Sequence, residues 1–356
     1  MSDAHLLQNH ETFMKRCLQL ASKGLGSTYP NPLVGSVLVN NGKVIGEGWH
    51  KKAGDAHAEV VAINSVVDTT LFSEATIYVS LEPCCHHGKT PPCTDLIIKH
   101  KIKEVVVGCL DPNPKVAGKG IAQLKAAGCD VKVGILEEEC AWMNRRFFTS
   151  YLKQRPYIVL KWAQSIDGFL SPEKRANKAP VWITGTTSRQ LVHKWRSEEQ
   201  AILIGINTVL DDNPSLTTRL VSGTSPHRIV IDPTGKIPPE AAILKNEAPT
   251  TVLSQAIPPQ ATLAENVTWI TTQESMVKAA LQYAQKNGLQ SIIVEGGAYT
   301  LQRFIDLELW DEARIFTGPI AFNKGIAAPE IQGNLIEEKT LETDRLRILT
   351  PIAADS

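Results

Sequence analysis

The chain has 356 residues, 43% hydrophobic and 21% charged, with Lys plus Arg and Asp plus Glu both at 37. That length exceeds what one hydrophobic core usually serves, so two domains are expected, 1–150 and 151–356. The even charge balance excludes a generally basic, nucleic-acid-binding surface. No apolar run nears the roughly 18 residues of a membrane span, and the polar start is no secretory leader, so a cytoplasmic protein acting on a small molecule is expected, with no nucleic-acid or membrane partner.

Residues 11–23 place Phe13, Cys17, Leu20 and Ala21 on one helical face, and Gly24 ends that helix. A turn-rich loop with Pro30, Asn31 and Pro32 follows. Strands 34–39 and 43–49 are joined at Asn40-Asn41-Gly42, a hairpin signal. His57-Ala58-Glu59 opens an apolar helix to about Ser65, and 75–80 is a strand. Thr90-Pro91-Pro92 is a helix start, with Thr as cap and Pro in the first turn of a helix through 93–100. Strands 105–108 and 131–133 bracket a helix near 120–127, and a helix over 137–147 closes the set. Arg155-Pro156 marks a boundary. Beyond it, strands fit 157–162, 201–205, 228–232, 251–253 and 291–295, and helices fit 187–195, 275–287 and 299–306. Residues 234–268 are Pro-rich and resist assignment. Strands alternating with helices in both halves predict layered α/β domains.

Seven cysteines, an odd number, do not form a disulfide framework here. Cys17, Cys109, Cys129 and Cys140 are scattered, and each reads as a small buried hydrophobe. The others cluster. His57 and Glu59 lie two apart at a helix start, Cys84 follows a strand, and Cys93 opens the next helix. Two thiolates and one imidazole suit Zn²⁺ and leave a fourth position for water. Zinc makes hydroxide available near neutral pH, and an adjacent carboxylate can pass its proton to a leaving group. This is the H-x-E…P-C pattern of base deaminases, with Glu59 as acid/base and not as ligand. The usual second Cys stands three positions after the first, where this chain has His87. Cys85, His86 and His87 therefore stay open as ligands, with Cys93 preferred because it starts a helix. A purely structural four-ligand site would not need Glu59. Gly88-Lys89-Thr90 is no P-loop, because Pro83 stands where a glycine is required.

The string Leu81-Glu-Pro-Cys-Cys-His-His-Gly-Lys-Thr-Pro-Pro-Cys93 resembles the deaminase half of the bifunctional deaminase–reductase family of riboflavin biosynthesis. So do Asn31-Pro-Leu-Val-Gly35, His57-Ala-Glu59 and Asp111-Pro-Asn-Pro114, and the insertion before Cys93 is a mark of that family. The resemblance implies a cytidine-deaminase-like three-layer α/β domain followed by a dihydrofolate-reductase-like α/β domain. It also implies zinc, NADPH and a homo-oligomer. The implied substrate is a diaminohydroxypyrimidine carrying a phosphoribosylamine, contacted by Asn31, His50, His86 and Lys89. Asp111 and Asn113 are expected to build a turn instead.

Leu160-Lys-Trp-Ala-Gln-Ser-Ile-Asp-Gly168, Val181-Trp-Ile-Thr-Gly185, the run Gly205–Arg219 and Val294-Glu-Gly-Gly-Ala-Tyr-Thr-Leu301 resemble the reductase half. By that resemblance Gln164, Trp182, Thr208, Asp212 and Gly297 lie along NADPH, while Arg196, Leu216, Arg219 and Glu295 face the substrate, whose ribosyl group becomes ribityl. Physical chemistry adds that Gly296-Gly297, between a strand and a helix, lets backbone N–H groups approach a pyrophosphate. Arg196 and Arg219 are the residue type for a phosphate clamp. Residues 171–179 depart from the Ser- and Gly-containing loop of the family, and Pro180 replaces a small hydroxyl residue. Three competing readings are a nucleic-acid base deaminase with an accessory domain, a zinc-stabilised binding module, and a deaminase with an inactive reductase half.

Overall fold

The computed structural model describes residues 3–87, 91–174, 181–258, 261 and 264–352. The chain forms two compact units, Met1–Gln154 and Arg155–Ser356.

The first unit runs α1 (Asp3–Ala21), β1 (Gly35–Asn40), β2 (Lys43–Trp49), α2 (Ala58–Asn64), β3 (Thr76–Leu81), α3 (Cys93–Lys99), β4 (Glu104–Cys109), α4 (Lys119–Ala126), β5 (Asp130–Val133), α5 (Glu137–Met143) and α6 (Arg145–Leu152). Its sheet has the order β2-β1-β3-β4-β5. β1 pairs antiparallel with β2 and β3, whereas β3, β4 and β5 are parallel. The hairpin turn has positive φ at both Asn41 and Gly42, the geometry that matches strand twist. β1 is buried along its whole length because both faces are covered. Met14, Cys17 and Leu20 of α1 pack on Val37, Val39 and Tyr78, while Ala62, Ile97 and Leu124 pack on Leu38 and Ile77. Three layers result. α1 lies so close to the sheet that a Cβ on Gly35 would fall 2.0 Å from the Cys17 carbonyl oxygen.

Two expectations are corrected here. The helix over 137–147 is two helices broken at Asn144, whose side chain leaves the helix register to bracket Leu33. Its Oδ1 accepts from the Leu33 N–H at 2.7 Å and its Nδ2 donates to the Leu33 carbonyl at 2.9 Å. α3 starts at Cys93 with Pro92 as its N-cap residue, so the prolines precede the first turn. Thr90, expected as the cap, lies outside the described residues.

The second unit runs β6 (Tyr157–Gln164), β7 (Phe169–Pro172), α7 (Thr186–Glu198), β8 (Ala201–Gly205), α8 (Ile206–Asp212), β9 (His227–Ile231), β10 (Thr250–Ser254), β11 (Val267–Thr271), α9 (Met276–Lys286), β12 (Ser291–Gly296), α10 (Ala298–Asp306), β13 (Glu312–Thr317), β14 (Gly325–Ala327), β15 (Asn334–Leu341) and β16 (Asp344–Thr350). The main sheet has the order β11-β10-β9-β8-β12-β6-β13-β16-β15, and β7 pairs with β14. From β11 to β13 the neighbours are parallel, and β16 and β15 extend the edge antiparallel. One apolar cluster holds Leu160, Val294, Ala280 and Phe304, and a second holds Val159, Ile202, Trp195 and Phe316. Helices therefore cover both faces. The chain lays β8 to β11 outward on one side, then returns to place β12 between β8 and β6. Ligand crevices form at the carboxyl ends of strands around such reversals. Among the described residues no helix is long and apolar enough to cross a membrane.

Candidate active sites

His57 occupies the N-cap of α2 with an extended backbone, and its carbonyl receives the Val61 N–H that begins the helix. Glu59 falls in the first turn and is only 3% exposed. Cys84 follows β3, and Cys93 is the first residue of α3, whose N–H donates to Cys84 Sγ at 3.4 Å. The ligand atoms of His57, Cys84 and Cys93 lie within 4.8 Å of one another. Nδ1 of His57 stands 3.5 Å from Cys84 Sγ and 3.3 Å from Cys93 Sγ. Tetrahedral zinc, with bonds of about 2.0 Å to nitrogen and about 2.3 Å to sulfur, requires an N···S separation of about 3.5 Å, so the donor set fits zinc.

The hydrogen bond with Cys93, aided by His57, pulls the Cys84 thiol down to about 4 against its burial. The same bond to Cys84 pushes the Cys93 thiol up. A divalent ion bound there would favour the ionised form of both thiols. Burial, then the Cys84 charge, raises the Glu59 carboxyl to about 7.

The alternatives to Cys93 fall away. Cys85 Sγ points to the Lys115 carbonyl at 3.9 Å, and exposed His87 faces Asp95 at 3.8 Å. His86 is exposed and outside the cluster. Lys89 lies outside the described residues. Asn31 and His50 do come together. The buried His50 presents Nδ1 to the Ala56 carbonyl at 3.1 Å, so Nδ1 carries the proton and Nε2 accepts from Asn31 Nδ2 at 3.0 Å. Burial lowers the His50 pKa, which keeps this imidazole neutral. Its ring meets His57 edge-on, with centroids 5.5 Å apart. Asp111 and Asn113 build the expected turn, accepting from the N–H groups of Asn113 and Lys115.

In the second unit a cleft of about 880 Å³ opens at the carboxyl ends of β6, β8, β9, β10 and β12. Thr208, Asp212, Glu295 and Gly297 line it. Gly205 also lines it, and a Cβ there would lie 2.4 Å from Thr300 Oγ1. Gly296 has φ +149°, which favours glycine, and the Gly296–Gly297 peptide is cis. Bare backbone at the start of α10 is a cradle for a pyrophosphate, so the residues fit a dinucleotide.

Glu295 is the charged centre of the cleft. Arg196 grips it with Nε at 2.8 Å and Nη2 at 2.7 Å, and Lys161 Nζ approaches to 3.5 Å. Burial would raise its pKa, but Arg196 and Lys161 outweigh burial and hold the carboxyl at about 2. Arg196 therefore joins the site by way of Glu295. Lys161 was not expected. Its signal is a lone cation inside the apolar strand Tyr157–Gln164.

The other named residues stand outside the cleft lining. Gln164 Oε1 accepts from Trp162 Nε1 at 2.8 Å, and Trp182 is 61% exposed with the Arg189 guanidinium 4.6 Å from its ring. Leu216 is buried among Val192, Trp195 and Val209. Exposed Arg219 donates to Ser215 Oγ at 2.8 Å. Pro180 and residues 175–179 lie outside the described residues.

Residues 156–348 match the family model for the RibD C-terminal domain, and residues 7–109 match that for the cytidine and deoxycytidylate deaminase zinc-binding region. The riboflavin biosynthesis protein RibD of Aquifex aeolicus is 41% identical over 332 residues, 92% of this chain and 92% of that one. The RibD of Synechocystis is 39% identical, covering 91% of this chain and 88% of its own. A diaminohydroxyphosphoribosylaminopyrimidine deaminase/5-amino-6-(5-phosphoribosylamino)uracil reductase from Thermotoga maritima superimposes with TM-score 0.90 at 36% identity, over 98% of this chain and 100% of that one. RibD of Acinetobacter baumannii gives TM-score 0.87 at 34% identity, over 97% and 99%.

Proposed function

The chain belongs to the RibD family of riboflavin biosynthesis proteins, and from that membership we propose how its residues divide two reactions. It is a zinc-dependent deaminase and an NADPH-dependent reductase acting on a pyrimidine. In our reading the first unit deaminates 2,5-diamino-6-(5-phosphoribosylamino)pyrimidin-4-one, and the second reduces the ribosyl group of the product to ribityl.

His57, Cys84 and Cys93 would hold zinc, which supplies an acidified water when bound. Glu59, buried beside those three ligands, would be the group that takes and delivers a proton for the departing amino group. His50 fixes the Asn31 amide, leaving Oδ1 of Asn31 for a donor on the ring edge. In the second unit NADPH supplies the hydride. Gly205, Gly296 and Gly297 offer backbone to its pyrophosphate. Glu295, kept ionised between Arg196 and Lys161, presents a fixed dipolar wall to the sugar. The same proposal places a homo-oligomer in the cytoplasm, with a freely diffusing phosphoribosyl compound and not nucleic acid as substrate.

The observation that carries the deaminase assignment is the buried Glu59 beside a three-ligand, zinc-spaced cluster. The test supplies the diaminopyrimidine to zinc-loaded protein and follows ammonia release and NADPH oxidation separately. Both are expected. Ammonia without NADPH oxidation would sink the reductase half, and neither signal with zinc bound would sink the substrate.

A further inference from the structure

We propose that Glu82 is a positioning residue of the metal centre, setting the Cys84–Cys93 spacing through α4, a helix that carries no ligand. This rests on the reading of His57, Cys84 and Cys93 as the zinc ligands.

Glu82 directly follows β3 and stands two residues before Cys84. Its N–H continues the sheet by donating to the Cys109 carbonyl at 3.0 Å. Its carboxylate is buried and accepts from four backbone N–H groups. Oε1 takes Gly120 at 2.9 Å and Ile121 at 3.3 Å, while Oε2 takes Gly118 at 2.9 Å and Asp111 at 3.3 Å. Two of these donors, Gly120 and Ile121, belong to the first turn of α4, and a third is its N-cap residue, Gly118, which has no side chain to cap the helix. Glu82 caps the helix from another part of the chain, where a carboxylate also meets the positive end of the backbone dipoles.

This capping brings α4 against the loop that carries Cys84. A Cβ on Gly120 would lie 2.2 Å from the Pro83 carbonyl oxygen, so helix and loop meet at backbone distance. Farther along α4, Gln123 Oε1 accepts from Thr94 Oγ1 at 3.1 Å and its Nε2 donates to Asp95 at 2.7 Å. Thr94 and Asp95 directly follow Cys93 on α3. Thr94 also returns to the other arm, its backbone N–H donating to the Cys84 carbonyl at 3.2 Å. α4 thus grips one thiolate segment through Glu82 and Gly120 and the other through Gln123.

A glutamine at 82 keeps the shape but turns an N–H₂ group toward two backbone donors, leaving buried amides unpaired. The cradle then loosens at its Cys84 end.

The experiment uses the full chain. Zinc release to a chelator is timed for wild type, Glu82→Gln and Gln123→Ala, and the visible spectra of the Co²⁺-substituted proteins are compared. Glu82→Gln should release zinc about 10- to 100-fold faster and shift the Co²⁺ bands, the size of effect seen when the outer partners of a metal site are lost. Gln123→Ala should change both in the same direction by a smaller factor, and it serves if Glu82→Gln does not fold. A lowered melting temperature with zinc release and Co²⁺ spectrum both unchanged would make Glu82 a purely structural cap and overturn the proposal. The ligand reading fails separately: Cys84→Ser would then keep one zinc per chain with wild-type release.

Discussion

Replacing Glu295 by glutamine removes the one anion that two buried cations share. Its carboxyl is held at about 2 against an ordinary 4.5, so the native network favours the ionised form by about 3 kcal/mol. Leaving Arg196 and Lys161 without that partner has a cost of the same order, about 3–5 kcal/mol. At roughly 2–4 °C per kcal/mol for a unit of about 200 residues, the melting temperature should fall by about 10 °C at pH 7. The sign follows from the depressed pKa. The Glu295 contribution is complete above about 4.5 and is lost as pH falls from there toward 2, so at pH 7 it is fully present. Scanning calorimetry of wild type, Glu295→Gln and Glu295→Gln/Arg196→Met measures it. The double variant should recover part of the loss, because it leaves one stranded cation instead of two. A fall of less than about 3 °C, or a double variant less stable than Glu295→Gln, would refute the network as described. NADPH oxidation should be lost in Glu295→Gln while ammonia release persists.

Glu59→Gln should lower ammonia release by about 10²- to 10⁴-fold, the usual weight of a positioned acid/base, with one zinc per chain retained by elemental analysis. Cys93→Ser should lose that zinc and Cys85→Ser should keep it, because Cys93 turns its sulfur to His57 whereas Cys85 points to the Lys115 carbonyl. Gly205→Ala drives a methyl group toward Thr300 Oγ1 beside the cradle. It should weaken NADPH binding about tenfold by fluorescence titration, the equivalent of about 1.4 kcal/mol, without touching ammonia release.

Elements whose signal is local were legible. The hairpin at Asn41-Gly42, the helix begun at His57 and the strands of apolar β-branched residues follow from turn chemistry and burial period. The unread strands lack such a signal. β15 is an exposed edge of mixed Leu, Ile, Glu and Lys, and β13 carries the buried Glu312 and Arg314. Arg314 is tolerated there because Glu312 and Glu199 pair with it. The helix break at Asn144 could not be read locally either. Its cause is Leu33, 111 residues away.

The sequence by itself determined the zinc chemistry and the family. His57, Glu59, Cys84 and Cys93 are the residue types that bind zinc and move a proton, and the insertion before Cys93 sets the family apart. Tertiary structure alone decided which sulfur faces His57 and why Glu82 holds a helix it does not belong to. It also decided that Arg196 meets Glu295, and that Lys161 joins them. These are contacts between segments far apart in the chain. A residue's type limits the bonds it can make, but only the packing of the sheets decides which partner arrives within 3 Å.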